Sequence, residues 1–94
     1  MGIVFDRIRA AVAAERYLIG VHAGNRLDER GIPDWQVPAG IAEGRLLRER
    51  PDTRPNPIVE VEQILLDGTP VKAVWSWLPY HEAAKLVTVH FLDR

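Results

Sequence analysis

The chain contains no cysteine. That absence removes a disulfide framework, thiolate metal sites and cysteine nucleophiles together, and it fits a reducing compartment. Serine occurs once, as Ser76 inside an apolar run, a poor setting for an activated nucleophile. No stretch approaches the roughly 20 apolar residues of a spanning helix. The N-terminus lacks the cationic start and unbroken apolar core of a signal peptide, so a soluble, cytoplasmic protein with no membrane contact is expected. An excess of either charge is also missing: 12 basic residues face 13 acidic ones. Nothing attracts nucleic acid globally, and any such binding needs a local patch. There are three histidines and no pair at helical metal-motif spacing, and no glycine-rich phosphate loop. Neither a metal nor a cofactor is expected.

What is present is an ordinary globular composition, 47% apolar and 27% charged over 94 residues. That length makes one small domain, 1–94, able to bury about two thirds of its unfolded surface. Phe5, Ile8 and Val12 recur at helical spacing and place an amphipathic helix within 1–16. The segment "RYLIGV" reads as either a short strand or the tail of that helix, with a short extended connector ending at Gly20 preferred. "VHAGNRLDERGI" follows, a helix closed by Gly31, with Ile32 folding back onto its last turn. "PDWQVPAGIAEG" reads as a second short helix, its start blurred by Pro38.

The remainder alternates with period two. "RLLRER", "IVEVEQILL", "VKAVWSWL" and "KLVTVHFL" read as strands, with a hairpin turn at Asp67–Gly68 and a further turn at "PYHEAA". In the last strand Val87, Val89 and Phe91 share one face, and Thr88 and His90 share the other. The expected fold is α+β, N-terminal helices packed on an antiparallel sheet of about four strands. Trp75 and Trp77, two apart, point to one face. They read as core beneath the helices, joined by Trp35; as an exposed pair they would instead mark a stacking platform or a protein interface.

His22, Arg26 and Arg30 are four apart and form one ridge on a helix. Such a ridge unites a proton acceptor with two guanidinium groups suited to an anion. The alternative is a solvated surface helix laced by Arg26 and Glu29, with His22 packing at the sheet edge.

The block His22, Ala23, Arg26, Leu27, Glu29, Arg30, Gly31 and Ile32, followed by a short helical stretch, "EGRLLRER" and a meander ending "LVTVHF", resembles an uncharacterised bacterial domain family. The likeness runs from Tyr17 to Phe91 and leaves the first helix as an addition. That family is similar in element order to the RelE-like toxins of bacterial toxin–antitoxin pairs, many of which cut messenger RNA. The resemblance implies metal-free RNA cleavage, with His22 or His90 as acid and base, and Arg26, Arg30 or Lys72 as cations at phosphorus. It also implies an antitoxin or other protein partner. The chain departs from RelE-like enzymes in being slightly acidic, with no C-terminal basic cluster beyond Arg94. The competing expectation is a non-catalytic interaction module, acting through a sheet edge or the tryptophan-bearing face, for instance in a homodimer.

Overall fold

Val4, Phe5, Ile8, Ala11 and Val12 make an apolar stripe along α1 (Ile3–Ala13), and that stripe is buried. The computed structural model describes residues 2–92. No side chain of α1 caps its own start. The Phe5 N–H donates instead to Glu49 Oε1 at 2.9 Å, which sets a carboxylate against the positive end of the helix. Glu15, at φ 61°, turns the chain out of α1.

Tyr17–Ile19 is β1, so the short-strand alternative holds for this segment and the preferred connector does not. It pairs in parallel with β5 (Ala83–Phe91), Tyr17 opposite Ala84 and Ile19 opposite Leu86. Between them run α2 (Val21–Glu29), α3 (Gln36–Gly40) with a 3₁₀ turn Ile41–Glu43, β2 (Arg45–Arg50), β3 (Ile58–Ile64) and β4 (Pro70–Leu78). The sheet order is β1-β5-β4-β3-β2, with every pairing but the first antiparallel. The α+β class therefore holds, while the all-antiparallel sheet of about four strands becomes a mixed sheet of five. A three-residue strand carries too little alternation to be seen in sequence.

The closure of α2 follows its glycine. Gly31 has φ 66°; the Ile32 N–H reaches the Leu27 carbonyl at 2.9 Å and the Gly31 N–H reaches that of Asp28 at 3.2 Å. Those two bonds satisfy carbonyls at the helix end, and Ile32 is buried with Leu27. Pro38 lies in the first turn of α3, where an amide donor is not needed.

One face of the sheet is the core. Val59, Val61, Val71, Ala73, Trp75, Ala84, Leu86 and Val89 belong to the same buried cluster as Ile8, Ala11, Leu27 and Val37. α1 is thus part of the core. Trp75 is 0% exposed, and Trp77 packs half-buried against the same cluster. Trp35, expected beside them, is 56% exposed, because Val37, Pro38 and Ile41 fill the space under the sheet instead. None of the described helices is long and apolar enough to cross a membrane.

Buried polarity is concentrated in one link. Trp75 Nε1 donates to Gln63 Oε1 at 3.1 Å, and Gln63 Nε2 donates to the Val37 carbonyl at 2.7 Å. Gln63 thereby ties β3, β4 and α3 together inside the core. Gln63→Leu removes both partners and leaves two buried groups unsatisfied. A loss of about 2 kcal/mol or more in urea unfolding is expected, with partial recovery when Trp75→Phe is added, since one orphan then disappears.

Candidate functional site

The last strand changes parity part-way along. Val74 pairs with Thr88 and Trp75 with Leu86, so the ladder skips Val87. This bulge puts Ala84, Leu86 and Val89 on the core face, and Lys85, Thr88 and His90 on the open one. The expected grouping of Val87 with Val89 and Phe91 is corrected accordingly: Val87 is the extra residue of the bulge, only half-buried. Lys72 is the cross-strand partner of His90 and flanks the buried Val71 and Ala73. Lys72 and His90 are therefore neighbours on the open face.

β1 covers only the start of β5, and α2 packs along β5. Gly20 makes the transfer. Its N–H donates to the Leu86 carbonyl at 2.9 Å, and its own carbonyl accepts the first helical bond, from Gly24. A Cβ at Gly20 would stand 3.0 Å from the Leu86 carbonyl and 2.9 Å from Lys85 Cε. Backbone approach this close needs glycine. Ala23 and Leu27 face inward and are fully buried. The ridge of His22, Arg26 and Arg30 is left exposed at its start and half-buried along its length.

His90 registers what surrounds it. Its pKa is lowered from the usual 6.5, first by burial and then by the charges of Lys72, Arg26, Arg30 and His22. The ridge and the strand pair thus form one cationic seam around an imidazole that resists a proton. Asp28 and Glu29 make no ion pair with Arg26 or Arg30 among the described residues, so the salt-laced surface helix is not what α2 forms. Arg30 instead stacks over Phe91, its guanidinium carbon 4.6 Å from the ring centroid. Arg30 Nε and Thr88 Oγ1 are the buried side-chain polar atoms without a hydrogen-bond partner among the described residues, and both lie on this seam.

Two contributors were missed in sequence. Lys85 runs beside Gly20 at the start of α2; its position between Ala84 and Leu86 was the available signal, obscured by reading parity from Val87. Glu60 holds Lys72 at 3.7 Å and Arg50 at 3.5 Å; its own ladder partner is Val74, with Glu62 opposite Lys72, so it reaches Lys72 diagonally. Glu62 is paired with Arg45 at 2.6 Å. His81, in the β4–β5 turn, stands apart as an exposed residue. Among the described residues no three His, Asp or Glu side chains gather in a way that could hold a metal ion.

No protein-family model matches the chain, and neither the curated proteins nor the solved structures provide a match. The site is therefore interpreted from its own chemistry.

Two outcomes follow. Gly20→Val forces β5 and α2 apart and should cost about 1–3 kcal/mol in urea unfolding; the backbone angles there, φ −63° and ψ 158°, suit any residue, so the penalty is steric. For His90, the depressed native pKa means the unfolded chain binds its proton more readily. Stability is full above 6.5 and falls as pH drops from 6.5 toward the native value, below which both states are protonated. A His90→Gln variant should show a flatter stability profile over that window when unfolding midpoints are compared.

Proposed function

We propose that the protein is a toxin-like, metal-independent endoribonuclease, akin in layout and chemistry to RelE-like RNases. The observation that carries this reading is the placement of His90 opposite Lys72 on the open face, with α2 and its ridge of His22, Arg26 and Arg30 packed along the same strand; burial and these charges lower its pKa. A neutral imidazole among cations is the arrangement that phosphodiester transfer asks for. The base must be unprotonated, while the charge accumulating on phosphorus needs counter-charges already in place.

In this reading His90 accepts the proton of the ribose 2′-hydroxyl as that oxygen attacks phosphorus. The bond to the 5′-oxygen breaks, and His22, exposed in the first turn of α2, gives that oxygen a proton. A 2′,3′-cyclic phosphate and a 5′-hydroxyl result. Arg26 and Arg30 offer planar, multi-donor contacts to the phosphoryl oxygens, and Lys72, steadied by Glu60, adds a point charge. The slight acidity of the whole chain is no obstacle, because fields from distant carboxylates are screened within about 8–10 Å at physiological salt. A partner that silences such a site would be an acidic protein, as an antitoxin is to its toxin.

A non-catalytic interaction module is the second reading, and β2 is the observation that favours it. This edge strand carries a half-exposed Leu47 beside Arg45, Arg48 and Arg50, a surface for an acidic extended segment or for a second copy. The tryptophan face offers no such surface, since Trp75 lies in the core.

Expression of the wild-type chain should arrest growth, and His22→Ala should relieve it. With purified protein and a single-stranded RNA, His22→Ala and His90→Ala should each lower the cleavage rate by about 10²–10⁴-fold, and products should end in cyclic phosphate. Absence of both toxicity and cleavage would transfer the case to the interaction module.

A further inference from the structure

Beside the cationic seam lies a hollow of about 210 Å³ that the phosphate chemistry leaves unused. It is lined by Arg30 from the end of α2, Gln36 from α3, Leu66, Asp67 and Thr69 from the β3–β4 turn, and Phe91 from the end of β5. Arg30 belongs to both places. Pockets that engulf whole ligands run to roughly 300–1,000 Å³, so this one suits a single planar group of a molecule held elsewhere.

Its walls carry the three elements by which a base is distinguished. The Arg30 guanidinium carbon lies 4.6 Å from the Phe91 ring centroid, and Phe91 is partly exposed, so this wall brings together two planar groups of the kind on which bases stack. The Asp67 carboxylate is fixed in the turn because its Oδ1 accepts the Thr69 N–H at 2.9 Å. That bond also helps to keep its pKa below the usual carboxylate value, so the group is an acceptor at neutral pH. The amide of Gln36 is oriented too: its Oε1 accepts the Leu66 N–H at 2.6 Å, which leaves the amide nitrogen as a donor.

We infer that this hollow is a base-recognition subsite for guanine, set beside the phosphate-binding seam. A stacking surface, a fixed carboxylate and an amide donor complement guanine's edge: two adjacent N–H donors for Asp67 and a carbonyl oxygen for Gln36. Uracil offers no such pair of donors. The subsite rests on the reading of the seam as an RNA site, and Arg30 couples the two by contributing to both.

The test is titration of the isotopically labelled protein with guanosine 3′-monophosphate and, separately, uridine 3′-monophosphate, followed by amide chemical shifts, which requires no cleavage. The guanosine nucleotide should bind about tenfold or more tightly and shift Leu66 to Thr69 and Phe91 as well as α2. Asp67→Asn, an exposed substitution in a turn, should abolish that preference while leaving the uridine nucleotide's affinity unchanged. Equal affinities, with shifts confined to α2 and His90, would overturn the subsite and leave the seam intact. No shift with either nucleotide would overturn both. Guanosine preference in a protein that fails to cleave RNA would uphold the subsite and remove the nuclease reading.

Discussion

Three residues of parallel pairing decide where everything else in this fold can go. β1 holds β5 only from Tyr17 to Ile19, and then Gly20 donates its amide to Leu86 and begins α2. Had β1 run on, a fifth full strand would have covered the outer edge of β5, and the helix would have been displaced to a face of the sheet. Because it stops, α2 lies along β5 with Ala23 and Leu27 in the core. The residues on its other side, His22, Arg26 and Arg30, are brought to where they act on His90. The close approach at Gly20, where a Cβ would meet the Leu86 carbonyl at 3.0 Å, fixes that helix against the strand.

The skipped residue in the β4–β5 ladder completes the arrangement. A strictly alternating strand that buried Leu86 would also bury Thr88 and His90. By leaving Val87 unpaired, β5 keeps Leu86 and Val89 inside while presenting Lys85, Thr88 and His90 to the open face. Bulges recur next to active sites because they re-aim a side chain without altering the hydrophobic set. Here the same device brings an imidazole beside Lys72 and the α2 ridge.

Much of this was legible in the sequence where local rules suffice. The α1 stripe, the end of α2 at Gly31, the Asp67–Gly68 hairpin and the inward Trp75 each follow from a spacing or a turn residue acting over a few positions. The ridge of His22, Arg26 and Arg30 follows from helical period alone. What could not be read depends on partners distant along the chain. β1 is a strand only because β5 is there to pair with it, and the bulge exists only relative to β4. Trp35 has the composition of a core residue, yet Val37 and Ile41 already occupy the space it would need. Lys85 and Glu60 acquire meaning only once Gly20 and Lys72 are beside them.

Charge is distributed to the same end. The open face carries Glu60 and Glu62 on β3, each held by cations, Glu60 by Lys72 and Arg50 and Glu62 by Arg45. Paired charges of this kind are weak contributors to stability at an exposed surface, but they restrict where long side chains can point. Lys72 is steadied from the β3 side while facing His90 across the ladder from the other. On α2 the opposite holds: Arg26 and Arg30 make no ion pair with an acid among the described residues. An unpaired guanidinium retains its full attraction for an incoming anion, whereas a paired one must first surrender a partner. Net charge near zero therefore says little about the local field, which depends on where uncommitted cations lie relative to engaged carboxylates.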